Sequence, residues 1–199
     1  MTNVAENAIT NRSIETPDWS TIPVPTDDGA ARHLEGMPMP LVPLLATDGA
    51  TVNLALLPGR TVVYAYPRNG LPDIPNPEGW EIIPGARGCT PQTLAFRDNF
   101  LGIRAMGVQQ LFGLSTQDTE YQREFVDRLQ LPFQILSDQR LKLTTALRLP
   151  TFQNHGLTLL KRLTLVIENG KIVKVFYPVF PPDQNPAEVL AWLEGRTNR

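Results

Sequence analysis

Cysteine is almost missing from this chain: its 199 residues include one, Cys89. A single thiol forms no internal disulfide, no CxxC redox pair and no cysteine-rich zinc site. Histidine is nearly as scarce. His33 and His155 lie far apart in sequence, so neither a metal centre nor a cofactor is expected. A charge excess is lacking too, since 20 acidic and 18 basic side chains leave a formal charge of -2. That balance gives no general field for nucleic acid or anionic lipid. No run approaches the ~20 apolar residues a transmembrane helix needs. Met1–Trp19 is polar and mixed in charge, unlike the basic-then-apolar start of a secretory leader. The expectation is a cytoplasmic protein without nucleic-acid or membrane partners, because a lone thiol suits a reducing compartment.

Proline, by contrast, is plentiful. There are 19 in the chain, against a usual share of ~5%. Thirteen of them fall between Pro17 and Pro91, and Gln92–Leu149 holds only Pro132. The first region therefore reads as arm, loops and short strands, and the second as helix-bearing. Residues 1–35 are expected to form a weakly structured arm, packed on the body or on a partner, and residues 36–199 a single domain.

Within that domain, Leu41–Leu45 and Thr51–Leu56 read as two strands around Asp48-Gly49. Thr61–Tyr66 is a β-branched and aromatic run without a polar break, which suits a central strand buried on both faces. Arg68–Pro84, with Pro72, Pro75 and Pro77, is too long and broken for a tight turn and reads as a surface loop. Thr90–Met106 carries Phe96, Phe100 and Ile103 at helical spacing. Val108–Leu114 is strand-like, Thr119–Gln130 helical, Phe133–Leu136 a short strand and Gln139–Leu147 helical. Leu163–Ile167 and Ile172–Tyr177 flank Asn169-Gly170, a pair suited to the positive φ of a type I′ hairpin turn. A last helix starts at Asn185 as N-cap, with Pro186 and Glu188 in its first turn, and stops at Gly195. Strands alternate with helices and a hairpin closes the sheet. The class is α/β, with a mixed central sheet flanked by helices.

The one thiol sits where this pattern changes, in Pro84-Gly-Ala-Arg-Gly-Cys-Thr-Pro-Gln. The first turn of a helix leaves backbone N–H groups unpaired and presents partial positive charge. A thiolate placed there is stabilised. Arg87 adds positive charge, Gly85 and Gly88 allow close backbone approach, and Pro91 suits an early helical position. A free cysteine is commonly just a small buried apolar residue. The loop-to-helix setting points instead to a reactive thiol.

Cys89-Thr90-Pro91-Gln92, followed by Ala95-Phe96-Arg97-Asp98, resembles the active-site helix of the peroxiredoxins, nearest the bacterioferritin-comigratory or Q-type branch. Gly49, Val62-Val63-Tyr64 and Tyr66-Pro67 match the family's opening. Gly113-Leu114-Ser115, Leu131-Pro132-Phe133 and Leu136-Ser137-Asp138 match its middle. The run from Arg162 to Ile167 and the Asn169-Gly170 turn match its closing hairpin. The resemblance spans roughly residues 38–195. It implies a thioredoxin-like fold and a thiol peroxidase. Cys89 would be the peroxidatic cysteine, passing through a sulfenic acid. Arg162 would be the active-site arginine, although a lone cation at a strand start otherwise reads as solvated. Gln92 would orient that arginine, with Thr90 and Pro67 supporting the substrate site.

Three departures qualify the match. The family's Thr or Ser three residues before the cysteine is Ala86 here, which leaves Thr90 as the hydroxyl nearby. The family proline lies seven residues before the cysteine; here Pro67 is 22 residues away and Pro84 five, because Arg68–Pro84 intervenes. Leu94 stands where many Q-type members carry a resolving cysteine. The expectation is therefore a one-cysteine peroxidase acting on hydrogen peroxide or organic hydroperoxides. An external thiol such as glutathione, glutaredoxin or thioredoxin would recycle it. Ala86 favours the alternative, a non-enzymatic thioredoxin-like redox sensor or partner-binding protein. Gly85–Gly88 is too short for a phosphate loop. The Arg68–Pro84 loop reads either as a wall beside Cys89, with Trp80 as an apolar anchor, or as a decoration without a role in chemistry. Phe176–Pro182 reads as a packed connector, or, if its aromatics are exposed, as the face of a homodimer.

Overall fold

The computed structural model describes residues 17–72 and 74–197. Its strands are β1 (Pro43–Ala46), β2 (Thr51–Asn53), β3 (Arg60–Ala65), β4 (Val108–Ser115), β5 (Gln134–Ser137), β6 (Thr151–Asn154), β7 (Leu157–Leu160), β8 (Leu163–Glu168) and β9 (Lys171–Phe176). Its helices are α1 (Cys89–Asp98), α2 (Phe100–Ala105), α3 (Thr119–Leu129), α4 (Lys142–Leu147) and α5 (Asn185–Thr197). Seven strands form one sheet in the order β2-β1-β5-β4-β3-β8-β9. β3, β4 and β5 run parallel, and the other pairings are antiparallel.

β3 shows why the sheet is covered on both faces. Its side chains alternate in direction. Val63 and Ala65 join one buried cluster, with Leu143 and Leu147 of α4 and Leu163, Leu165 and Ile167 of β8. Val62 and Tyr64 join the other, with Phe96, Ile103, Phe125, Val189 and Leu193 from α1, α2, α3 and α5. The crossover from β3 to the parallel β4 passes through α1 and α2. The N-terminus of α1 therefore lies beyond the C-terminal end of β3, where open α/β sheets place their sites.

Several expectations change. Of the arm, residues 1–16 lie outside the described residues. In the rest, Ile22, Ala31 and Leu34 are buried, and the last two belong to the domain core. This half of the arm is packed rather than loose. The helix expected over Thr90–Met106 breaks at Asn99, whose side chain donates to the Ala95 carbonyl at 2.9 Å. Residues 54–56 leave the second strand as a 3-10 turn capped by Asn53. α4 starts at Lys142, with the Asp138 carboxylate accepting from the N–H groups of Leu143 and Thr144. The hairpin β6–β7 was not expected. Its turn is His155-Gly156, both at positive φ, without an Asn-Gly signal. The β8–β9 turn does hold Asn169 and Gly170 at φ 48° and 74°. Asn185 is the first helical residue of α5 rather than its N-cap, and Gly195 lies inside that helix. Phe176–Pro182 is half-buried to buried, as a packed connector would be.

Candidate active site

α1 begins at Cys89, and Gly88 before it has φ +100°. Glycine occupies that region without the penalty other residues meet. A side chain at Gly88 would meet Pro182 and Trp19. The close approach inferred from this glycine is thus made by the protein itself, not by a ligand.

Arg162 enters from the junction of β7 and β8 and is 3% exposed. Its Nη2 lies 3.3 Å from the Cys89 sulfur. The same nitrogen donates to the carbonyls of Gly85, Ala86 and Arg87 at 3.2, 3.4 and 3.1 Å. Nη1 donates to the side-chain oxygen of Gln92. Gln92 in turn donates to Asn185 Oδ1 at 3.1 Å, and Thr164 donates to the same oxygen at 2.6 Å. Buried helix, strand and loop groups thereby fix the guanidinium. Among the described residues no carboxylate pairs with it. Among the same residues, the Cys89 sulfur is the one side-chain group other than Gln92 that the guanidinium meets. The thiol is itself 5% exposed and lies 3.6 Å from the Ala86 carbonyl oxygen. Beneath the site, Tyr64 stacks on Phe96 at 4.3 Å and donates to Thr93. Burial pushes the Tyr64 hydroxyl well above the ordinary tyrosine range, so it remains a neutral donor.

The sulfur opens on a cavity of about 490 Å³. Ala86–Pro91 line one side, and the Arg68–Pro84 loop supplies Arg68, Leu71, Pro72, Ile74, Pro75 and Trp80 on the other. The loop is anchored at several points. The Glu78 carbonyl pairs with His155 at 3.0 Å, and the Gly70 carbonyl accepts from Arg128 at 3.2 Å. Trp80 packs with Ala86 and Leu159 in a small buried cluster. Ala86, where the resemblance leads one to expect a hydroxyl, is fully buried beside Trp80. Arg87 is paired with Glu81 of the same loop at 2.8 Å, so the positive charge expected from it is offset.

Cys89, Gln92 and Arg162 are thus brought together, and Thr90 lines the cavity half-buried. Pro67 is buried at the end of β3 and is not among the lining residues. Sequence reasoning missed Asn185 and Thr164 as the far end of the hydrogen-bond chain. The available signal for Thr164 was a hydroxyl inside an otherwise apolar strand. Among the described residues no three His, Cys, Asp or Glu side chains cluster to hold a metal ion.

A helix-initiating thiol against a buried guanidinium, on a sheet of this order, defines a redoxin. Residues 34–192 match the Redoxin family. "Peroxiredoxin Q, chloroplastic" of Oryza sativa subsp. japonica is 30% identical over 187 residues, covering 90% of this chain and 78% of that one. The protein of the same name from Populus jackii is 30% identical over 167 residues, covering 83% and 70%. Among solved structures, Peroxidoxin BcpB from Mycobacterium tuberculosis superposes with a TM-score of 0.65 at 22% identity, covering 81% of this chain and 96% of that one. The bacterioferritin comigratory protein of Xanthomonas campestris gives 0.62 at 21% identity, covering 78% and 91%. The chain belongs to the redoxins and, within them, to the Q-type peroxiredoxins. Its activity is that of a thiol peroxidase, and its single cysteine fits the one-cysteine mechanism.

Proposed function

We propose that Cys89 is the peroxidatic residue and that Arg162 holds and activates it. The approach of Arg162 Nη2 to within 3.3 Å of the sulfur carries this reading. The Cys89 thiolate attacks one oxygen of the hydroperoxide. An S–O bond forms as the O–O bond breaks heterolytically, the leaving oxygen takes a proton, and Cys–SOH remains. Arg162 stabilises charge building on the leaving oxygen, because its orientation is fixed before reaction. Gln92 orients Arg162, and Thr90 is the hydroxyl we assign to the peroxide in place of the one absent at Ala86.

The recycling step needs two equivalents of an external thiol. The first attacks the sulfenic sulfur, releasing water and leaving a mixed disulfide. The second resolves that disulfide and frees Cys89. Glutathione, glutaredoxin and thioredoxin all satisfy this chemistry. The walled cavity supports glutathione, the smallest of the three. Its apolar lining also supports organic hydroperoxides beside hydrogen peroxide, since the volume is many times the ~30 Å³ share of one water. A homodimer is proposed, tested by sedimentation; Phe176–Pro182 is half-buried to buried within one chain. A cytoplasmic setting is proposed on the support of the unpaired thiol alone, with fractionation as its check.

The deciding experiment is peroxide consumption with a thiol reductant, comparing the native protein with Cys89→Ser. Loss of turnover in the variant is expected. Equal activity in both would overturn the assignment of Cys89.

A further inference from the structure

The Redoxin match begins at residue 34, yet the site is touched by residues that precede it. Pro17 lines the cavity in front of Cys89. Trp19 lies against the backbone of Gly88: a methyl group built there would sit 2.8 Å from Trp19 Cη2 and 3.1 Å from Cζ3. A Cβ built at Gly85 would sit 3.5 Å from Pro25. Trp19 is itself held. Its indole N–H donates to Asp183 at 3.1 Å, and its ring meets Phe180 edge-on at 5.9 Å. Further along the arm, Asp28 accepts from Lys161 at 2.6 Å and from Tyr177 at 2.7 Å, and Leu34 is buried in the core.

The loop carrying the thiol is therefore gripped from two sides. Inside, Arg162 holds the carbonyls of Gly85, Ala86 and Arg87. Outside, Trp19 and Pro182 close on Gly88, which has no side chain of its own with which to fix its position. The Arg87 carbonyl is held by Arg162 and the Gly88 carbonyl accepts from the Gln92 N–H at 3.0 Å, but Gly88 has no side chain to restrain its φ between them. Trp19 and Pro182 add that restraint from outside. They do so one residue from the sulfur whose distance to Arg162 matters.

We propose that Trp19 is a positioning residue of the active site, so that the N-terminal arm is a structural part of the peroxidase centre. Resting on the assignment of Cys89 and Arg162, the proposal extends it. Trp19 touches no reacting atom and acts through Gly88. A misplacement of about 1 Å at a reacting group can cost about 10²-fold in rate.

The test uses the full chain and three variants: Trp19→Ala, Trp19→Phe and Leu34→Ala. Two quantities are read, the rate constant for oxidation of reduced protein by hydrogen peroxide and amide exchange over residues 84–92. Trp19→Ala is expected to slow oxidation by about 10–100-fold and to speed exchange in that segment. Trp19→Phe keeps a ring on Gly88 and should recover most of both. Leu34→Ala removes core packing from the same arm away from the loop. It should lower the melting temperature while leaving both quantities near the native values. Native exchange over 84–92 in Trp19→Ala would overturn the proposal, as would equal losses in Trp19→Ala and Leu34→Ala. Should Trp19→Ala fail to fold, Asp183→Ala, which frees the indole N–H, must speed the same exchange or the proposal falls. If the native protein does not react with peroxide, the reading of Cys89 fails while the exchange measurement still decides on Trp19.

Discussion

Arg162→Lys separates two properties that the guanidinium combines, charge and shape. In the native site Nη2 faces the sulfur and three carbonyls, while Nη1 reaches Gln92 on the other side. One ammonium can stand near the Nη2 position and keep the charge. It cannot also reach Gln92, because lysine offers a single nitrogen where arginine offers a fork. The Gln92 oxygen is then left unpaired in a fully buried setting, at a cost of about 1–3 kcal/mol. For a chain of this length that is about 2–12 °C in melting temperature. The chemical step loses a donor fixed before reaction, which typically costs about 10²–10³ in rate, or ~2.7–4 kcal/mol. Arg162→Lys should thus fall to about 1% of native peroxide turnover or less. Arg162→Met should fall further, since it removes the charge as well. The assay is stopped-flow oxidation of the reduced protein by hydrogen peroxide, with thermal melts alongside. Turnover in Arg162→Lys within about threefold of native would refute the need for the fork. Charge alone would then account for the site.

Gly88→Ala adds one methyl where φ is +100° and where Pro182 and Trp19 stand 2.7 and 2.8 Å from it. A cost of about 2–5 kcal/mol is expected from strain and overpacking together, read by thermal melts, with slower oxidation by peroxide in the same variant. Trp80→Ala should destabilise the protein and reduce the preference for an organic hydroperoxide over hydrogen peroxide, read as the ratio of their kcat/KM values, because Trp80 both lines the cavity and packs on Ala86. Hydrogen bonds from Lys161, then Tyr177, hold the Asp28 carboxyl well below the usual carboxylate range. A lowered folded-state value adds stability above the unfolded value of ~3.9 and loses it as pH falls towards the folded one. Asp28→Asn should therefore melt lower than native near neutral pH, with the gap closing below about pH 4. The pair is over a third exposed, so the gap should also shrink in high salt.

The parts of the fold legible in the sequence are those where one local rule suffices. Thr61–Tyr66 reads as a central strand because β-branched and aromatic residues follow each other without a polar break. Asn169-Gly170 reads as a turn because both positions take positive φ. Cys89 was legible for a similar reason, since loop glycines, a helix start and a lone thiol coincide within a few residues. What escaped depends on partners distant in the chain. Asn185 has the look of an N-cap, and only the packing of α5 against α1 and β8 turns its side chain towards Gln92 and Thr164. The break at Asn99 depends on one side chain bonding back to Ala95, which helical spacing does not register. The arm looked unstructured because proline and polar residues dominate it. Its few apolar anchors, Trp19, Ile22 and Leu34, are spaced too widely to form a local pattern.

Leu94 and the cavity together bear on how the enzyme is recycled. On the resemblance drawn from the sequence, Leu94 stands at the position of a Q-type resolving cysteine. It is half-buried and packs against the core cluster containing Phe96 and Ile103. The position has thus become part of the packing of α1, and withdrawing it from the core would cost apolar burial rather than expose a thiol. With the chain's one thiol at the N-terminus of the same helix, resolution has to come from another molecule. That molecule must reach a sulfur 5% exposed, past a loop anchored to α3 and to the β6–β7 hairpin. A loop held between Arg162 and Trp19 does not readily swing the sulfur outward. On the proposed roles of Arg162 and Trp19, the route left is the cavity, and its walls would screen the reductant as well as the peroxide. Replacing Ile74 or Leu71 by a bulkier side chain should therefore slow both halves of the cycle, read separately as oxidation by peroxide and reduction of the sulfenic acid by glutathione. Slowing of oxidation alone would show that the thiol enters by another path.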